Sequence, residues 1–187
     1  MPITRYVAFL RAINVAGHGS VRMNEVREAF ATAGCQAVST CIQSGNVLFE
    51  LPSRRSKAML EAARGRLGAM LGHKPDVVLR TLREVQQLVE NCPFSGLPAD
   101  RDSKRYIVFL ARKPRIRPAL PLTCPQEGVE AVTMSDREVF VVSRRKSNGF
   151  FGFPNAFVET QFGVLATSRN WSTVIRVVET AQRSVRS

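Results

Sequence analysis

Tyr6-Val7-Ala8-Phe9-Leu10-Arg11-Ala12-Ile13-Asn14-Val15-Ala16-Gly17-His18-Gly19-Ser20 runs a short apolar segment straight into a polar, glycine-bearing turn. An apolar run of this length with a turn behind it reads as a buried strand, which sets Arg11 and Asn14 at the edge of a core. Beyond the turn, Met23, Val26, Phe30 and Ala33 recur at helical spacing, and Gly34 stops the helix. Strands over residues 37–42 and 46–51 follow, and their link, Gln43-Ser44-Gly45, is short enough for a β-hairpin. Pro52-Ser53 opens a second helix whose inner stripe is Leu60, Ala63, Leu67, Met70 and Leu71, closed by Gly72. Residues 76–79 make a fourth strand, and Thr81-Leu82-Arg83-Glu84 has the form of a capping box heading a further helix. The order β-α-β-β-α-β is the split βαβ arrangement of a ferredoxin-like lobe.

The second half repeats this order in eroded form. Tyr106-Ile107-Val108-Phe109-Leu110 echoes residues 6–10, but Pro114, Pro118, Pro121 and Pro125 stand where the first helix belongs and exclude a long one. Strands over 129–134 and 138–142 pair across Ser135-Asp136-Arg137, and a helix over 155–162 precedes an extended stretch at 164–166. The last helix takes Asn170 as its N-cap and turns Val174, Val177, Val178 and Ala181 inward. The expected architecture is α+β, with two ferredoxin-like lobes at residues 1–95 and 96–187 related by an internal duplication.

Composition bounds the function classes. With 187 residues, 44% of them hydrophobic and 22% charged, the chain has the makings of a packed core and is not a disordered segment. No signal-peptide pattern and no apolar run of about 20 residues is present, so we expect a cytoplasmic protein with no membrane partner. Cys35, Cys41, Cys92 and Cys124 are scattered without a close pair, which points to free thiols and to no metal. No nucleotide fingerprint is complete, and no cofactor is expected. The net charge of +12 would attract nucleotides, nucleic acid or other polyanions. Its even spread over both halves also fits a merely solvated surface, and 22 of the 27 basic residues are arginine.

Three polar junctions carry the candidate chemistry. Arg11 offers a planar five-donor fork for a carboxylate or phosphate, or ties strand to helix through Glu25 or Glu28. Asn14 and Gly17-His18-Gly19 lie in a strand-to-helix turn where backbone N–H groups face an anion, and His18 is the one candidate acid or base. Gln43, Ser44 and Asn46 gather hydrogen-bonding groups at the hairpin, where turn chemistry alone also explains them. Arg169-Asn170-Trp171 begins the last helix with a cation, a cap and the chain's sole tryptophan, which staples the helix or stacks on a ring. Arg144-Arg145-Lys146-Ser147-Asn148-Gly149-Phe150-Phe151-Gly152-Phe153 leads basic residues into three phenylalanines, a pattern suited to phosphates and bases or to a buried loop.

Residues 6–19, Thr-Cys-Ile-Gln-Ser-Gly-Asn-Val-Leu-Phe at 40–49 and Ala-Thr-Ser-Arg-Asn-Trp-Ser-Thr-Val at 166–174 together resemble the signature stretches of the domain-of-unknown-function family 1697. The resemblance implies a small cytoplasmic α+β protein with ferredoxin-like lobes and no established activity. Ala16, where a second glycine is usual, and Cys41, where an aromatic is usual, depart from it. The leading expectation is a binding protein whose inter-lobe groove holds a nucleotide or nucleic-acid segment, with Arg11 and Arg169 pairing with the anion. Asn14, Ser44 and Asn46 would orient it, and Trp171 would stack. The alternatives are an enzyme using His18 on a small polar substrate and an interaction module without a ligand.

Overall fold

The computed structural model describes residues 3–11, 13, 21–41, 45–97 and 100–183. The chain divides into one compact unit of Met1–Gln87 with Arg176–Ser187 and a second of Leu88–Ile175. This differs from an even division at 95/96, because the end of the last helix belongs with the first unit. Arg5 Nη1 donates to the Ala181 carbonyl (3.2 Å), and Cys41 Sγ lies 3.4 Å from Thr180 Oγ1.

In the first unit β1 (Ile3–Leu10), α1 (Met23–Thr32), β2 (Gln36–Cys41), β3 (Asn46–Pro52), α2 (Ser56–Leu71) and β4 (Val77–Thr81) are followed directly by α3 (Leu82–Glu90). The sheet order is β2-β3-β1-β4, and each neighbouring pair is antiparallel. Strand alternation sends Tyr6, Ala8, Leu10, Val47, Phe49 and Leu51 to one face, where Val26, Ala29 and Phe30 of α1 and Ala63 and Leu67 of α2 cover them. Phe49 anchors this layer, with ring centroids 5.8 Å from Tyr6 and 5.2 Å from Phe30. Val7, Phe9, Leu48 and Val78 on the opposite face are buried too. That double burial is why β1 reads as a continuous apolar run. Gly72 closes α2 at φ +73°, a left-handed conformation that costs glycine little. At α3 the capping box forms: the Thr81 amide donates to Glu84 Oε2 (2.7 Å) and the Glu84 amide to Thr81 Oγ1 (3.2 Å).

The second unit comprises β5 (Ser103–Leu110), β6 (Leu122–Cys124), β7 (Val129–Met134), β8 (Glu138–Arg144), α4 (Asn155–Phe162), β9 (Ala166–Asn170) and the first residues of α5 (Trp171–Arg183). Its order is β6-β7-β8-β5-β9, all antiparallel. With the short edge strand β6 set aside, β7, β8, β5 and β9 stand where β2, β3, β1 and β4 stand in the first unit. The proline-bearing segment between β5 and β7 contains no helix, as its lost N–H groups and fixed φ angles require. One strand lies later than its expected position at 164–166: β9 pairs with β5 from Ala166↔Leu110 to Asn170↔Tyr106. A ladder partner outweighs the polar character of Thr167, Ser168 and Arg169. Among the described residues no helix is long and apolar enough to cross a membrane. The four cysteines are free thiols.

Candidate functional site

In each unit the last strand runs directly into a helix, and the two junctions share a register. Tyr6 faces Thr81 and Val7 faces Arg80; Tyr106 faces Asn170 and Ile107 faces Arg169. Arg80 and Arg169 therefore occupy corresponding positions, and both are inside, at 1% and 9% exposure. Each guanidinium folds back on its own strand. Arg80 Nη1 donates to the Leu79 carbonyl (2.8 Å), and Arg169 Nη1 donates to the Ser168 carbonyl (2.7 Å) and to Thr167 Oγ1 (3.0 Å). Burial pushes Arg169 down to about 10, still a cation at neutral pH. Arg169, expected at the helix start, is thus a buried residue of β9. Alternation along β9 puts it on the face shared with Thr167 and buried there, and Asn170 is the last strand residue.

Around these matched arginines the two junctions differ in charge. In the first unit Arg5 stands opposite Glu50, and its Nε lies 3.3 Å from Glu50 Oε1. In the second, Arg105 stands opposite Val142. In the first, Glu84 accepts from both the amide and the hydroxyl of Thr81. Counted from the strand end, Thr173 takes the position of Glu84. Both acids of the first junction are missing from the second.

What the second junction has is a cleft of about 350 Å³ lined by Lys104, Arg105, Asn170, Trp171 and Ser172. Trp171 meets Phe94 edge-on with centroids 5.4 Å apart. Arg105 is steered by a bond from its Nη2 to the Leu97 carbonyl (2.8 Å) and lies 5.7 Å from the Phe94 ring. Lys104 Nζ sits 4.4 Å over the Phe151 ring, and among the described residues no carboxylate is within ion-pair distance of it. Two cations, the first amides of α5, an indole and two short polar side chains together suit an anion bearing a flat ring.

Of the residues expected to form a site, Asn170 and Trp171 meet in this cleft. Arg11 belongs to the first unit, where its Nη1 lies 3.7 Å from Asp76 Oδ2 and its amide donates to the Asp76 carbonyl (2.8 Å). Its acidic neighbour is Asp76, shared with Arg64 at 3.8 Å, in place of the expected Glu25 or Glu28. Asn46 is buried and closes the hairpin by donating from Nδ2 to the Cys41 carbonyl (3.0 Å). Asn14, His18, Gln43 and Ser44 lie outside the described residues. Lys104, Arg105 and Arg80 escaped the sequence reading. Aligning Arg5-Tyr6 with Arg105-Tyr106, and Arg80-Thr81-Leu82 with Arg169-Asn170-Trp171, is the signal that finds them. A second cleft, beside α1, includes Cys35, whose thiol burial pushes up to about 11 and so away from the reactive thiolate. Among the described residues no group of three or more His, Cys, Asp or Glu side chains could hold a metal ion.

No protein with a curated description matches the chain. Among solved structures, the conserved bacterial protein SP0830 from Streptococcus pneumoniae is similar in fold, with a TM-score of 0.61 at 20% identity over 95% of this chain and 98% of that one. Residues 3–140 match the model of the family described as "Protein of unknown function (DUF1697)", and the chain belongs to that family.

Proposed function

We propose that the second unit binds an anion, phosphate-bearing and carrying a flat ring, in the cleft where β5 begins and β9 turns into α5. The observation that carries this reading is the absence, at matched positions, of the acid that pairs with Arg5 and the acid that caps Thr81, Glu50 giving way to Val142 and Glu84 to Thr173. A basic helix start suits an anion, because the first backbone N–H groups and the cations act on the same volume. Lys104 and Arg105 neutralise the ligand, Asn170 and Ser172 supply directional hydrogen bonds, and Trp171 offers an aromatic face. Nucleotides meet these requirements. The shared strand order and the matched buried arginines also support the descent of both units from one ancestral unit.

Trp171 is the chain's sole tryptophan, so its fluorescence reports on this cleft alone. Titration with pyrophosphate and with mononucleotides at low and moderate salt is expected to give a saturable change that weakens with salt and is lost in Lys104→Ala. The absence of any saturable change would sink the proposal.

For the first unit the reading of an interaction module without a ligand has its own support. Arg11 is engaged by Asp76, and Arg64, Glu61 and Lys74 continue that network. The enzyme reading rests on His18, outside the described residues.

A further inference from the structure

The loop that follows β8 holds large apolar side chains out in water. Phe150 and Phe153 are 70% and 58% exposed, yet the backbone beneath them is tightly built. The Gly149 amide donates to the Lys146 carbonyl (2.8 Å), the Lys146 amide to the Phe150 carbonyl (2.8 Å), and the Phe150 amide to Asn148 Oδ1 (3.1 Å). Ser143 Oγ donates to the Gly152 carbonyl (2.9 Å). A Cβ on Gly152 would fall 1.8 Å from the Glu127 carbonyl oxygen, so only glycine lets the loop lie this close. Between the exposed rings, Phe151 is flanked by two cations, Lys104 Nζ at 4.4 Å and the Arg145 guanidinium at 5.0 Å. Phe153 rests edge-on against Tyr106, centroids 6.0 Å apart.

Lys104 joins this loop to the cleft, since it lines the cleft and caps the Phe151 ring. Phosphate-binding cations and presented aromatic faces are therefore contiguous. We infer that the ligand of the cleft is a single-stranded polynucleotide whose phosphates meet Lys104 and Arg105 and whose neighbouring bases stack on Phe150 and Phe153. The inference rests on the anion reading of the cleft and extends it from a mononucleotide to a strand. A single strand offers flat base faces to the rings and anionic phosphates to the cations, which is the pairing of chemistries found here. A lipid surface is flat and would leave the half-buried Trp171 of the cleft unused. Arg144, Arg145 and Lys146 are already paired with Glu130, Asp102 and Glu127. Contacts from Lys104 and Arg105 to two phosphates correspond to a log–log slope of about −1.4 for a single strand.

The test compares an oligothymidylate of about a dozen nucleotides, its duplex with oligoadenylate, thymidine monophosphate and vesicles of phosphatidylglycerol, on wild type and on Phe150→Ala/Phe153→Ala. The single strand is expected to bind at least about tenfold more tightly than the monophosphate, and the double variant to lose at least about fivefold of strand affinity with monophosphate binding unchanged. Equal affinity for strand and monophosphate, or no effect of the double variant, overturns the inference while the cleft reading stands. Preference for the duplex or for vesicles overturns it in favour of another partner. If neither strand nor monophosphate perturbs Trp171, the cleft reading itself fails.

Discussion

The two strand-to-helix junctions share a backbone plan and differ in how they treat charge. At β4–α3 two acids are built in: Glu50 holds Arg5, and Glu84 caps the helix through Thr81. At β9–α5 the same positions hold Val142 and Thr173, and an indole replaces the buried Leu82. The buried arginine is kept at both. The proposed site is placed at the junction that lacks both of these acids. An acid that neutralises a cation also occupies the volume a ligand would need.

The largest expected contrast lies in the cores. The first unit packs Phe49 against Tyr6 and Phe30, and the second has Val141 opposite Tyr106. Phe49→Ala should cost about 3–5 kcal/mol, and Val141→Ala about 2 kcal/mol for two lost methyl groups and a small cavity. Urea midpoints at constant slope measure both, and equal losses would break the contrast. Next in size is the charge exchange itself. Thr173→Glu installs in the first turn of α5, at a half-buried position, the acid that the first junction carries, and should weaken anion binding by about tenfold, or roughly 1.4 kcal/mol, in Trp171 titrations. Retained affinity would mean that the missing acids are not what opens the site.

Capping should separate the junctions by a smaller margin. Thr81→Ala removes a formed capping box and should cost about 1 kcal/mol, whereas Asn170→Ala, at an exposed position, should stay within about 0.5 kcal/mol. Thermal midpoints that fall equally would show the second helix start to be built like the first. The smallest effects concern acid. Lys74 and then Arg64 hold the Glu61 carboxyl below its usual range, and Lys113 and then Arg117 do the same for Asp136. A lowered folded-state value means stability that is present above the ordinary carboxylate range and lost as pH falls through the lowered value. Glu61→Gln in one unit and Asp136→Asn in the other should each slightly flatten the acid limb of stability against pH. Both groups are exposed, so a large change in either would contradict a solvent-screened pair.

Local signals made much of the fold legible. Helical spacing and its glycine stop located α1 and α2, the Thr81–Glu84 box located α3, and the prolines between residues 113 and 125 excluded a helix. β9 is not legible locally, because Thr167-Ser168-Arg169-Asn170 carries no apolar alternation; its strand character comes from pairing with β5. The site was half legible. Trp171 and Asn170 stand out as a lone aromatic and a polar residue before a helix, but Lys104 and Arg105 look like ordinary surface charge until β5 is laid beside β9.

By itself the sequence determined the helices and the apolar strands, β9 excepted, and that two similar runs of elements follow one another, because spacing, caps and breakers act over a few residues. Only the tertiary structure decided that Arg80 and Arg169 lie inside, that Arg5 meets Glu50 and that Arg105 meets Val142. Those outcomes depend on strand register, where a shift of one residue turns every side chain to the other face, and register is set by partners distant in the chain.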